Sequence, residues 1–283
     1  MNGASLNRHV RVGAFPHQGV TEVEGNQTQG HGVHCHRRSY PRMNPELLIP
    51  PDSPLRNPPS GLEPVQKVAF DGARFALDMT HIAYQRLYNG LDRLGRSTRG
   101  DAKGVADFTL AFVDAWAVVD NLWRLHELTR RFPGLKKSPE LEVNLRALAQ
   151  VEQLRHGFQH AAEKLKKMAR DEQPVMGTLT WFWTPDDPLR GGIVMMITAG
   201  SLMSTTMPLV NPAGRSFTSP IGLVTLSAFE TEIDLSSLWA RVQKIAHGLD
   251  QGAREAFGDA PGSGSDLLAA AEFEFRSTTA DVR

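Results

Sequence analysis

Nine of the chain's 18 prolines fall within its first 64 residues. Proline lacks an amide hydrogen and restricts the residue before it, so a run such as PELLIPPDSPLRNPPSGLEP cannot form a long helix. Residues 1–64 show no sustained helical or strand period and are expected to be a disordered or extended tail. Between residues 65 and 170 only Pro133 and Pro139 interrupt the chain, so long helices are confined to the chain beyond residue 64.

The apolar spacing there is helical. Phe75, Met79, Ile82, Leu87, Leu91 and Leu94 recur at intervals of three to five, predicting an amphipathic helix that ends near GRSTRGD. Val105, Phe108, Phe112, Trp116, Val119, Trp123 and Leu128 form the stripe of a second helix, broken by RRFPGLKKSPE. Ser138 then caps a third helical stretch, with Pro139 at its first position. That stretch runs to about residue 170 with two apolar faces. Leu141, Leu145 and Leu148 make one; Val151, Leu154, Phe158, Ala161, Leu165 and Met168 make the other. At about 100° per residue the two faces do not superpose. A break near 149–152, or a change of neighbours along the helix, is expected.

The period changes after residue 170. GTLTWFWT and GGIVMMITAG read as strands joined as a hairpin, and IGLVTLSAFETEIDL is also β-rich. SSLWARVQKIAHGLDQGAREAF is a last amphipathic helix, with Leu238, Val242, Ile245, Leu249 and Ala253 on one face. The expected fold is α+β, mostly α: a helical bundle over 66–170, a small antiparallel sheet or hairpin region over 177–235, and a C-terminal helix over 236–257. Residues 65–257 are expected to form one domain, with 258–283 as a second tail.

The chain has one cysteine, Cys35, so no intrachain disulfide can form and a cytoplasmic setting is expected. No apolar run is long enough to span a bilayer, so no membrane partner is expected. The formal net charge is zero, but residues 86–170 carry 16 basic and 10 acidic side chains, whereas 171–283 carry 7 and 14. The middle third is where a polyanion would be met. In the N-terminal tail, His31, His34, Cys35 and His36 lie close together but lack the paired spacing of a structural zinc site. No cofactor is expected.

The densest chemistry is QLRHGFQHAAEKL, residues 153–165. His156 and His160 lie about 40° apart around a helix, and Glu152 and Glu163 extend the strip at both ends. Three readings compete. The strip is a solvated helix face; or His156 and His160 bind a metal; or Arg155 and His160 act together. Arg155 and His160 sit about 140° apart around the helix and about 7.5 Å along it, so they need a closing partner to share a cleft. An arginine fork grips phosphate, and histidine exchanges a proton near neutral pH. Phosphate clamp plus proton shuttle suits RNA cleavage in which the ribose 2′-hydroxyl is the nucleophile.

Arg155-His156-Gly157-Phe158-Gln159-His160 resembles the R-x4-6-H signature of the HEPN (higher eukaryotes and prokaryotes nucleotide-binding) superfamily, opening a helix late in a helical bundle. The resemblance covers roughly residues 66–170. It implies a homodimer that brings two motifs to one cleft, and metal-independent cleavage of RNA. His160 would be the acid or base, Arg155 the phosphate clamp, and His156 the polar residue that orients the site. An acidic residue on an earlier helix, Asp114 or Asp120, would face the cleft. An antitoxin partner is compatible with the resemblance. However, Ala161 and Ala162 stand where toxins controlled by nucleotidylation carry a tyrosine. The reading from another class is a non-catalytic helical scaffold or nucleotide-binding protein.

Overall fold

The computed structural model describes residues 47–97, 105–135, 137–184, 192–200, 220–258, 260, 262, 263 and 266. All of them belong to one unit, Pro45–Arg283. The chain is α+β and mostly α. Helices α1 (Pro64–Ser97) and α2 (Val105–Arg130) form the main hairpin. Arg86 pairs with Asp114 at 3.1 Å and Arg93 with Asp107 at 3.6 Å, which fixes α1 and α2 antiparallel.

The core seam of α1 is the predicted one over Leu87, Leu91 and Leu94 but not over Phe75 and Met79. Phe70, Ala73, Leu77, Thr80, Tyr84, Leu87, Leu91 and Leu94 are buried, an alternating three-and-four spacing. Phe75 and Met79 lie on another face and are 46% and 43% exposed. Two apolar seams share one helix, and the longer, unbroken one takes the core. On α2, Phe112, Trp116 and Val119 are buried as expected, whereas Phe108 is exposed.

The third helical stretch breaks twice. Helix α3 (Pro139–Ala147) is capped by Ser138, whose hydroxyl accepts from the Leu141 amide. A 3-10 turn, Leu148–Gln150, follows, the break being one of the two expected outcomes of the mismatched apolar faces. Helix α4 (Val151–Gln159) comes next, and α5 (Ala161–Arg170) begins after a second break at His160 that the spacing does not signal.

Strands β1 (Thr178–Trp183), β2 (Ile193–Thr198), β3 (Ile221–Ala228) and β4 (Thr231–Asp234) form one antiparallel sheet in the order β2-β1-β3-β4. Phe229 and Glu230, both at positive φ, make the two-residue turn between β3 and β4. Trp181 and Trp183 are buried. The Trp183 indole donates to Asp92 at 3.0 Å, and its ring lies on Gly95, where α1 has no room for a Cβ. Helix α6 (Leu235–Phe257) starts at an Asp234 cap and buries Leu238, Val242, Ile245, Leu249 and Ala253, the predicted face. Among the described residues no helix is long and apolar enough to cross a membrane.

Parts of both expected tails pack on the domain. Residues 47–63 pack on the domain, because Ile49, Ser53 and Leu55 are buried and Asp78 of α1 holds the segment. Beyond α6, Ser263 donates through its amide to the Pro58 carbonyl, and Asp266 pairs with Arg74. The His31–His36 cluster lies outside the described residues.

Candidate functional site

Helix α4 carries the motif between α2 and the β3–β4 turn. Val151 and Leu154 are fully buried. One turn on, the Phe158 ring stacks on Trp116 of α2 at 4.4 Å. Gly157 faces the Phe229 ring, which a Cβ would meet at 2.6–2.8 Å. Gly157→Ala is therefore expected to cost about 1–3 kcal/mol by overpacking and to shift His156 and His160 with it; thermal denaturation checks the first effect.

These contacts aim Arg155 at α2. Its Nε donates to Asp120 Oδ1 at 3.0 Å, and its guanidinium lies 5.9 Å from the Trp123 ring centroid. Asp120 Oδ2 also takes Arg124 at 2.6 Å. One carboxylate thus holds two guanidiniums, leaving the trio with a net positive charge. Asp120, not Asp114, is the acid that faces the motif. Asp114 pairs with Arg86, and burial pushes its carboxyl above the usual range against the pull of Arg86 and Arg93.

His160 closes α4 and opens α5 with φ −102° and ψ 17°, in the bridge region where many active-site residues sit. At the break the His160 amide keeps its helical bond to the His156 carbonyl at 3.1 Å, whereas the Glu163 amide reaches the His160 carbonyl over three residues instead of four. The imidazole is 40% exposed. Its Nδ1 lies 3.1 Å from Glu163 Oε1, so a proton on Nδ1 leaves Nε2 as the free ring nitrogen among the described residues. The His156 ring lies beside it, with centroids 4.4 Å apart.

Helix α5 then adds Lys164, Lys166, Lys167 and Arg170 against one acid, Glu163. Lys167 pairs with Glu230 at 2.7 Å and Arg170 with Asp171 at 2.8 Å. The net result is a basic helix leading directly away from His160.

The structure brings His156 and His160 together and joins Asp120 to Arg155. It shows no contact between Arg155 and His160 within one chain: Arg155 turns to α2, His160 to Glu163. Among the described residues no three His, Cys, Asp or Glu side chains converge as a metal site. Sequence reasoning missed Arg124, whose signal is its position four residues after Asp120, a helical pair. No family model, curated protein or solved structure matches this chain.

Proposed function

We propose that the chain is a homodimeric, cytoplasmic, HEPN-like ribonuclease that cleaves RNA without a metal ion. The observation that carries this reading is the helix break at His160. It exposes an imidazole with a carboxylate on Nδ1, a second imidazole beside it, and a basic helix running on. Carboxylate-held histidine is a general base with a defined tautomer. In this reading His160 takes the proton of the ribose 2′-hydroxyl. The 2′-oxygen attacks phosphorus, the bond to the 5′-oxygen breaks, and that oxygen receives a proton from the cationic form of His156. The products are a 2′,3′-cyclic phosphate and a 5′-hydroxyl. Arg155 of a second copy would clamp the phosphate from the far side of the cleft, since its own chain turns it away. Phe158 and Leu165, exposed on either side of His160, offer that copy an apolar footing. The single cysteine, Cys35, supports a reducing compartment.

Helix α5 supports RNA as the polyanion. Lys166→Glu is expected to weaken binding of a labelled single-stranded RNA and to reduce the slope of log affinity against log salt by roughly one or more, since each lysine–phosphate contact releases about one counterion. Titrations at several salt concentrations measure this. Arg155→Ala tests the clamp: cleavage is expected to fall while Arg155→Lys restores only part, because an ammonium cannot grip phosphate in two places. Full activity in Arg155→Ala would remove the arginine from the mechanism.

A second reading is favoured by the Arg155–Asp120 bond. A guanidinium already held by a carboxylate suits a non-catalytic binding or scaffold protein. RNA binding with normal affinity but no cleavage would select it.

A further inference from the structure

The α1–α2 hairpin carries an open groove of about 410 Å³, within the size range of small-molecule sites. Phe75, Met79 and Leu128 give it an apolar lining, and Arg124 and Arg155 line it too. Gly72 lets the two helices close up, since a Cβ there would meet Leu128 at 2.9 Å. The Arg74 guanidinium lies 4.0 Å from the centre of the Phe75 ring and steadies that wall. Nothing in the proposed mechanism uses the groove itself.

Two features give this groove a chemical preference. The first is charge. Arg124 and Arg155 share the single carboxylate of Asp120, at 2.6 and 3.0 Å, so one positive charge is left over. Glu127, the acid of the lining, does not cancel it, because Arg130 and Arg131 hold that carboxylate at 3.1 and 2.7 Å. The second is a buried acceptor. Asn121 lines the groove and is 4% exposed. Its Nδ2 donates to the Ala117 carbonyl at 2.8 Å, but its Oδ1 has no partner among the described residues. Buried amide oxygens are nearly always paired, because an unmade bond is costly. An occupant with an N–H or O–H donor supplies the missing bond. Met79, an unbranched side chain in the same lining, adapts its shape to admit one.

We infer that the α1–α2 groove binds a small, apolar carboxylic acid that carries a hydrogen-bond donor. The carboxylate meets Arg124 and Arg155, the apolar body lies on Phe75 and Met79, and the donor meets Asn121 Oδ1. A carboxylate suits the site because its planar oxygens match an arginine fork and its single charge equals the surplus. Helix spacing sets the scale of the ligand. Asn121 and Arg124 lie three residues apart on one face of α2, a rise of about 4.5 Å. The donor and the acid group of the ligand are therefore separated by a few bonds, not by a long chain. Because Arg155 is also the phosphate clamp of the function proposed above, the bound acid inhibits RNA cleavage. That consequence rests on the proposed function; the binding does not.

Indole-3-acetate is the probe: a flat apolar body, one N–H and one carboxylate. Naphthalene-1-acetate lacks the N–H, and indole-3-acetamide lacks the charge. A proton–nitrogen NMR titration of the full-length protein follows the indole N–H of Trp123, another groove residue, identified by its loss in Trp123→Phe. Indole-3-acetate is expected to shift this signal saturably at roughly millimolar concentration, the range open to so small a ligand. Each analogue should bind roughly three- to tenfold more weakly, the scale of one net hydrogen bond or one exposed ion pair. Asn121→Leu should abolish the preference for indole-3-acetate over naphthalene-1-acetate, and Arg124→Gln should narrow its preference over indole-3-acetamide. No saturable shift, or equal affinity of the wild-type protein for indole-3-acetate and either analogue, would overturn the proposal. Inhibition of RNA cleavage by indole-3-acetate is a separate arm. If RNA is never cut, the ribonuclease reading fails and the titration still decides the groove.

Discussion

His160→Ala is expected to lower the rate of RNA cleavage in excess EDTA by roughly 10²–10⁴-fold, the range that positioned proton transfer contributes. The expectation follows from the geometry at the α4–α5 junction. The ring sits at a helix break, half-exposed, with Glu163 on one nitrogen. Truncation removes the proposed proton acceptor while leaving the backbone bonds at the junction, because these run through the His160 amide and carbonyl. Stability should change little, as an exposed side chain outside the core contributes little to it. Single-turnover kinetics at saturating enzyme separate the loss of chemistry from a loss of binding. Glu163→Gln is the gentler companion: it keeps a hydrogen-bonding group beside Nδ1 but removes the charge, and it should lower the rate less than His160→Ala does.

Asp78→Ala should be the most damaging substitution to the fold, at about 3–5 kcal/mol, the cost of leaving a buried charge without its partner. Asp78 lies on the core side of α1 and is nearly inaccessible. It takes Arg56 Nη2 at 2.6 Å and the amides of Leu48 and Ile49 at 3.1 and 3.3 Å. Arg56 in turn donates to the Ile49 carbonyl at 2.8 Å. Removing the carboxylate strands a shielded guanidinium and two amides, and it frees the segment that buries Ile49 and Leu55. Denaturant unfolding should show a lower midpoint. Limited proteolysis should cut between residues 47 and 63 well before the core. Asp78→Asn keeps acceptor capacity for the amides but not the charge, and should fall between the two.

Periodicity makes most of the helical architecture legible. The α6 face, the Ser138 cap and the break at 148–150 all follow from spacing and residue chemistry that act over a few residues. The α1 face follows over Leu87, Leu91 and Leu94 but not before them, because two apolar seams coexist there and packing decides which is buried. Residues 47–63 read as tail because prolines exclude a helix; they do not exclude an irregular segment held by one carboxylate, and the partner, Asp78, is 22 residues from Arg56. At the site, the helical positions of His156 and His160 are readable, and so is the separation of Arg155 from His160. The choice of Asp120 over Asp114 is not. Both lie on α2, and the face each presents depends on how α4 crosses it, which Phe158 on Trp116 and Gly157 on Phe229 determine.

If the proposed function holds, this chain cuts RNA through its own histidine, without a metal. The most direct test is to incubate the purified full-length protein with end-labelled single-stranded RNA in excess EDTA and to identify the new termini. The expected ends are a 2′,3′-cyclic phosphate and a 5′-hydroxyl, both lost in His160→Ala. Intact RNA, or the same products from the His160→Ala protein, would contradict it.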